Sequence, residues 1–136
     1  FYNYEKLVNE KKEVLLKQIC SKLPLSETEK YIGIYGIGAH TEELIKTYTY
    51  IIGEIKANIF FIDSKEVSYK KTFMGKKIVN IDDLEKEKLD GIILSSFSYE
   101  KELNQKVKGK YGQTYPIYRF YENIEEPLFY TYSLKI

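Results

Sequence analysis

Glycine interrupts an apolar run in Tyr31-Ile32-Gly33-Ile34-Tyr35-Gly36-Ile37-Gly38-Ala39-His40-Thr41, where a strand pattern passes through Gly-x-Gly into an amphipathic helix pattern. A turn without side chains at Gly36 and Gly38 lets a pyrophosphate approach the backbone. The amides around Ala39 and His40, and the positive end of the helix dipole, would then face it. A sharp strand-to-helix turn with no ligand selects the same glycines, so the residues alone leave both readings open. Thr41 stands where Gly-x-Gly-x-x-Gly would have its third glycine, and its hydroxyl either reaches a phosphate or caps the helix, capping being the safer expectation. An imidazole is the usual acid-base group near neutral pH and His40 stands at a helix start, yet no base partner lies nearby in sequence. Its expected work is to donate a hydrogen bond to phosphate or to shield the cradle, and no catalytic residue is assigned.

Two further groups bear chemistry. Asp63 closes a second apolar run and is followed by Ser64; an acid there accepts hydrogen bonds from an adenosine ribose and favours NAD over NADP, while a loop-capping Asp is the equal alternative. Ser95 and Ser96 end a third run, where serines hold ribose or sugar hydroxyls or satisfy local backbone groups; Tyr99 and Glu100 follow and are expected to border the same pocket. Other chemistries lack their residues. Gly-Ala-His replaces the Gly-Lys-Ser/Thr of a nucleotide-hydrolysing loop, no Gly-x-Ser-x-Gly elbow occurs, and Tyr-x-x-x-Lys appears only as Tyr2 and Lys6 in the leading segment.

These groups need strands that end together. Leu16, Ile19, Cys20 and Leu23 line one face of a leading helix that Pro24 stops. That helix either projects toward a neighbouring domain or subunit or packs on the sheet. Strands are expected over Tyr31–Tyr35, Lys56–Ile62, Leu89–Ser96 and Tyr115–Phe120. Helices are expected over Thr41–Ile52, with Leu44, Ile45, Tyr48 and Ile52 facing the sheet, over Asp82–Glu87, and over Ser98–Val107. Residues 64–79 read as a loop and a short extended segment turning at Gly75. Strands separated by helices imply an α/β fold, a Rossmann-like doubly wound parallel sheet with an added N-terminal helix. The ends bearing Gly36–Thr41, Asp63 and Ser95-Ser96 then meet on its carboxyl edge.

Size and charge narrow the partners. The 136 residues carry a net charge of +1, with 21 basic and 20 acidic residues interleaved. Such a chain makes one domain, read as a leading helix over 1–24 and a nucleotide-binding domain over 25–136, and offers no field for nucleic acid. No apolar run spans a membrane. One cysteine, Cys20, and one histidine, His40, are too few for a disulfide or a zinc site; a cytoplasmic location and no metal are expected. The start at Phe1 rather than Met reads as a processed chain or a piece of a longer protein, whose other domains would supply any missing catalytic residues.

Residues 31 to 120 resemble a known group. Ile34-Tyr35-Gly36-Ile37-Gly38-Ala39-His40-Thr41, Phe61-Ile62-Asp63-Ser64, Phe73-Met74-Gly75-Lys76-Lys77-Ile78 and the segment from Asp90 through Ser95-Ser96-Phe97 to Glu102 are similar to small Rossmann-like domains of bacterial sugar-nucleotide and surface-polysaccharide proteins, including nucleoside-diphosphate-sugar epimerases and dehydratases. The resemblance implies a pocket for NAD or NADP, or for a nucleotide sugar. The extended substrate domain and the well-placed Tyr and Lys of full-length epimerases are missing, so it implies binding rather than turnover. The alternative is a non-catalytic interaction module attached to a methyltransferase or glycosyltransferase, homo-oligomeric through the leading helix and the aromatic segment Leu128-Phe129-Tyr130-Thr131-Tyr132.

Overall fold

Apolar residues alternate between two faces along each central strand, and that alternation builds the molecule. The structure is a computed structural model that describes residues 6, 9–10, 14, 17–64 and 72–122. Strands β1 (Tyr31–Tyr35), β2 (Asn58–Asp63), β3 (Thr72–Phe73), β4 (Lys76–Asn80), β5 (Gly91–Leu94) and β6 (Ile117–Tyr118) form one sheet in the order β3-β4-β2-β1-β5-β6. All neighbours are parallel except the β3–β4 hairpin. Helix α1 (Ala39–Ile51) follows β1, and α2 (Glu100–Tyr111) follows β5. The fold is therefore α/β, consistent with a Rossmann-like doubly wound sheet.

Ile32, Ile34, Phe61 and Ile93 meet Leu44 and Tyr48 of α1 on one face. On the other, Tyr35, Phe60, Ile62, Ile92 and Leu94 meet Val107 of α2 and the short 3-10 helix Ile81–Lys86. Burying such side chains on both faces stabilises the layers by roughly 1.5–3 kcal/mol for each large residue. The end of the leading helix joins the first layer through Cys20, with Leu23 and Leu25 buried just beyond it. Burial pushes the Cys20 thiol up to about 11.

Several expectations are corrected. Residues 72–80 are no loop with a lone extended piece: Met74 and Gly75, both at positive φ, turn a hairpin whose second strand pairs with β2 as a full member of the parallel sheet. Helix α1 starts at Ala39, two residues before Thr41, and Ile52 is exposed because α1 has ended by then; Gly53, at positive φ, donates to the Tyr48 carbonyl. Helix α2 runs on to Tyr111, where Gly112 ends it. The segment expected as a helix over 82–87 is a 3-10 turn, and Asn80 caps it by accepting from the Asp82 amide at 2.8 Å. Only Ile117 and Tyr118 pair in the last strand. Tyr2, Leu16 and the aromatic segment 128–132 lie outside the described residues. Among the described residues, no helix is long and apolar enough to cross a membrane, and no three His, Cys, Asp or Glu gather as metal ligands.

Candidate functional site

Strand β1 has β2 on one side and β5 on the other, so the chain leaves it in one direction and returns on the opposite flank. Helices α1 and α2 consequently lie on different faces, and a crevice opens between the carboxyl ends of β1 and β5. It holds about 760 Å³, within the range of small-molecule sites, and is lined by residues of the Gly36–His40 turn, the Asp63-Ser64 strand end, Ser95 to Tyr99 and α2.

The two glycines of the turn differ in what demands them. Gly36 sits at φ +135°, and a Cβ there would come within 2.4 Å of the Ser95 carbonyl oxygen. Its amide donates to the Ile62 carbonyl at 3.1 Å, so the protein itself requires glycine where three strand ends converge. Gly38 has an ordinary negative φ, and a Cβ there would meet nothing within 4 Å. It opens onto the cleft. It is also the N-cap of α1 and offers no side-chain cap, which leaves the start of a 13-residue helix turned toward the cavity.

Behind the turn runs a chain of hydroxyls. Thr41 is fully buried, outside the cleft lining, and its Oγ1 lies 2.8 Å from the Gly36 carbonyl and 2.7 Å from Ser95 Oγ. It neither caps the helix nor reaches the cavity, contrary to both sequence expectations. Ser95 Oγ lies 2.8 Å from His40 Nδ1, and His40 Nε2 lies 2.5 Å from the Tyr121 hydroxyl. A carbonyl only accepts, so the single Thr41 proton goes to Gly36 and the Ser95 proton goes to Thr41. His40 then donates from Nδ1 to Ser95, and Nε2 accepts from Tyr121. This polarity speaks against Ser95 as a nucleophile, because its proton points away from the imidazole. Tyr121 is held above the ordinary phenol range by burial and by the Glu100 charge, which keeps it a donor.

Glu100 does not border the pocket as expected. Its buried carboxylate turns away, accepting from the Phe120 and Tyr121 amides at 2.8 and 3.0 Å and from Arg119 Nε at 3.0 Å. This clamp seats Tyr121 against His40. Tyr99 does line the cleft, half-open to solvent, with Phe97, Glu102, Leu103 and Lys106. Ser96 lines it too, its Oγ accepting from the Tyr99 amide at 3.0 Å.

Asp63 spends one oxygen locally: Oδ1 accepts from the Ser64 amide at 2.8 Å. Its Oδ2 is buried without a partner, as is the hydroxyl of Tyr35 on the adjoining strand. Burial chiefly raises the Tyr35 phenol, and Asp63 adds to this. The Ser64 side chain beside it acts in the lowering direction. The structure thus brings Gly36, Gly38, Ala39, His40, Asp63, Ser64, Ser95 and Ser96 to one cleft and leaves Thr41 behind it. Sequence reasoning missed Tyr35, whose only signal was a hydroxyl-bearing side chain ending an aliphatic strand, and Tyr121, which is 81 residues from its partner His40. No family model, no curated protein and no solved structure matches the chain.

Proposed function

We propose that this chain is a nucleotide-binding domain that holds a nucleoside diphosphate group, as in NAD or a nucleotide sugar, in the cleft between β1 and β5. The observation that carries this reading is Gly38: it has no packing reason to be glycine, and it opens the uncapped start of α1 toward the cavity. Phosphate suits that place because first-turn amides lack intrahelical acceptors and the dipole favours an anion. The unpartnered Asp63 oxygen suits a ribose hydroxyl on the neighbouring strand end and favours NAD over NADP.

Binding without turnover is the reading, since the only imidazole is held between two hydroxyls, those of Ser95 and Tyr121. The likeness to domains of sugar-nucleotide and polysaccharide biosynthesis proteins adds nucleotide sugars to the candidates and puts any reaction on another domain. A thermal-shift panel of NAD, NADP, UDP-sugars, dTDP-sugars, coenzyme A and S-adenosylmethionine tests it. A cognate ligand at a hundredfold excess over Kd stabilises by about 2.7 kcal/mol, which raises the melting temperature measurably. A flat panel overturns the proposal.

A further inference from the structure

The cleft has a second wall that the glycine turn does not use. Tyr99, Glu102, Leu103 and Lys106 recur at i, i+3, i+4 and i+7 from the N-cap of α2, so they share one helix face, and all four line the cavity. Tyr99 is 61% exposed and offers a flat aromatic ring, while Leu103 packs on the buried cluster that contains Tyr35 and Val107. Glu102, when ionised, only accepts hydrogen bonds, and Lys106 only donates them. An acid four residues before a lysine is the order that favours pairing on a helix, yet among the described residues no ion pair joins these two or takes either elsewhere. Tyr35 lines the same cavity, 2% exposed, with a hydroxyl that has no partner. Proteins rarely leave such an atom unmet.

Opposite charges side by side on one wall suit neither a bare anion nor a bare cation. A neutral group rich in hydroxyls suits them, because each hydroxyl can donate to Glu102 and accept from Lys106. The C–H face of a pyranose ring would lie against the apolar surface of Tyr99 and Leu103. The nicotinamide of NAD offers a single amide where a hexose offers several hydroxyls. We propose that this face of α2 binds the sugar of a nucleotide sugar, Glu102 and Lys106 holding its hydroxyls and Tyr99 stacking on its ring, so that the ligand is a nucleoside diphosphate hexose rather than NAD. This rests on the nucleotide reading above.

The test is calorimetric titration of UDP, ADP and GDP, of UDP-glucose, UDP-N-acetylglucosamine, ADP-glucose and GDP-mannose, and of NAD into the unaltered protein, Tyr99→Ala, Glu102→Ala and Lys106→Ala. At least one nucleotide sugar is expected to bind about tenfold tighter than its own nucleoside diphosphate, and tighter than NAD. Removing a charge alters the affinity for every anion, so the readout is the ratio of nucleotide-sugar to diphosphate affinity, in which that common effect cancels. Each variant should shrink this ratio by about threefold to tenfold. All three side chains are exposed, and the ligand-free variants should melt with the parent. A nucleotide sugar no tighter than its diphosphate, NAD tighter than every nucleotide sugar, or an unchanged ratio in all three variants overturns the sugar assignment and leaves nucleotide binding standing. Failure of every nucleotide to bind overturns both.

Discussion

Gly36 and Gly38 stand two residues apart in the same turn, yet their substitution should have opposite consequences. Gly36→Ala forces a Cβ against the Ser95 carbonyl at a φ that L-residues avoid, and a loss of about 2–4 kcal/mol is expected in urea unfolding. Gly38→Ala should stay within about 1 kcal/mol of the parent, the penalty of a poorer N-cap, while weakening the ligand found in the thermal-shift panel. If Gly38→Ala binds that ligand as tightly as the parent, the cradle lies elsewhere. Thr41→Val keeps the shape but strips the hydroxyl that joins Gly36 to Ser95, so about 1–3 kcal/mol should be lost on unfolding. The Gly-x-Gly signal was legible in the sequence because it reflects backbone geometry. Which glycine the protein needs and which it leaves open was not, since that depends on Ser95, far along the chain.

Helix α2 shows how an element can be half legible. Its buried residues are Glu100, Asn104 and Val107, two of them polar, so the apolar stripe is too thin to mark the full helix. Glu100 is buried because it binds two amides and Arg119, which ties the segment after β6 to the start of α2. Glu100→Gln should cost about 1.5–3 kcal/mol, and hydrogen exchange should show lost protection at the Phe120 and Tyr121 amides. Unchanged protection there would mean that the clamp does not hold this segment. Strand β4 was hidden for another reason: only Ile78 and Val79 are apolar in Lys76–Asn80, and pairing with β2 rather than local pattern makes it a strand. By contrast β1, α1, β2 and β5 carry continuous or helically spaced apolar residues, and the sequence placed them within a few residues.

The molecule as a whole buries several groups that must keep their protons. Cys20 is pushed up to about 11 and Tyr111 to about 12, with Tyr35 and Tyr121 also raised, each chiefly by burial. Unfolded chains release these protons at lower pH than the folded one, so above the ordinary thiol value of 9.0 the unfolded state binds fewer protons. Their contribution is full below about pH 9 and is lost as pH rises toward about 11 and beyond. Urea midpoints should therefore fall as pH rises from about 9 to about 11, and Cys20→Ala should flatten the first part of that fall. An identical slope in Cys20→Ala would remove the thiol from this account. The native thiol should also resist alkylating reagents at pH 8 and react only on unfolding, being fully buried.

The sequence by itself determined the α/β class, the strand-turn-helix at Gly36–Thr41, and the strand ends at Asp63 and Ser95, because each is written in residues near one another along the chain. Only the tertiary structure decided that Thr41 and Glu100 serve the scaffold, that His40 is held between Ser95 and Tyr121, and that Tyr35 joins Asp63 in the lining of one cleft. Those outcomes depend on the strand order β4-β2-β1-β5. That order is set by which long-range pairings bury the most apolar surface together, and no local pattern records it.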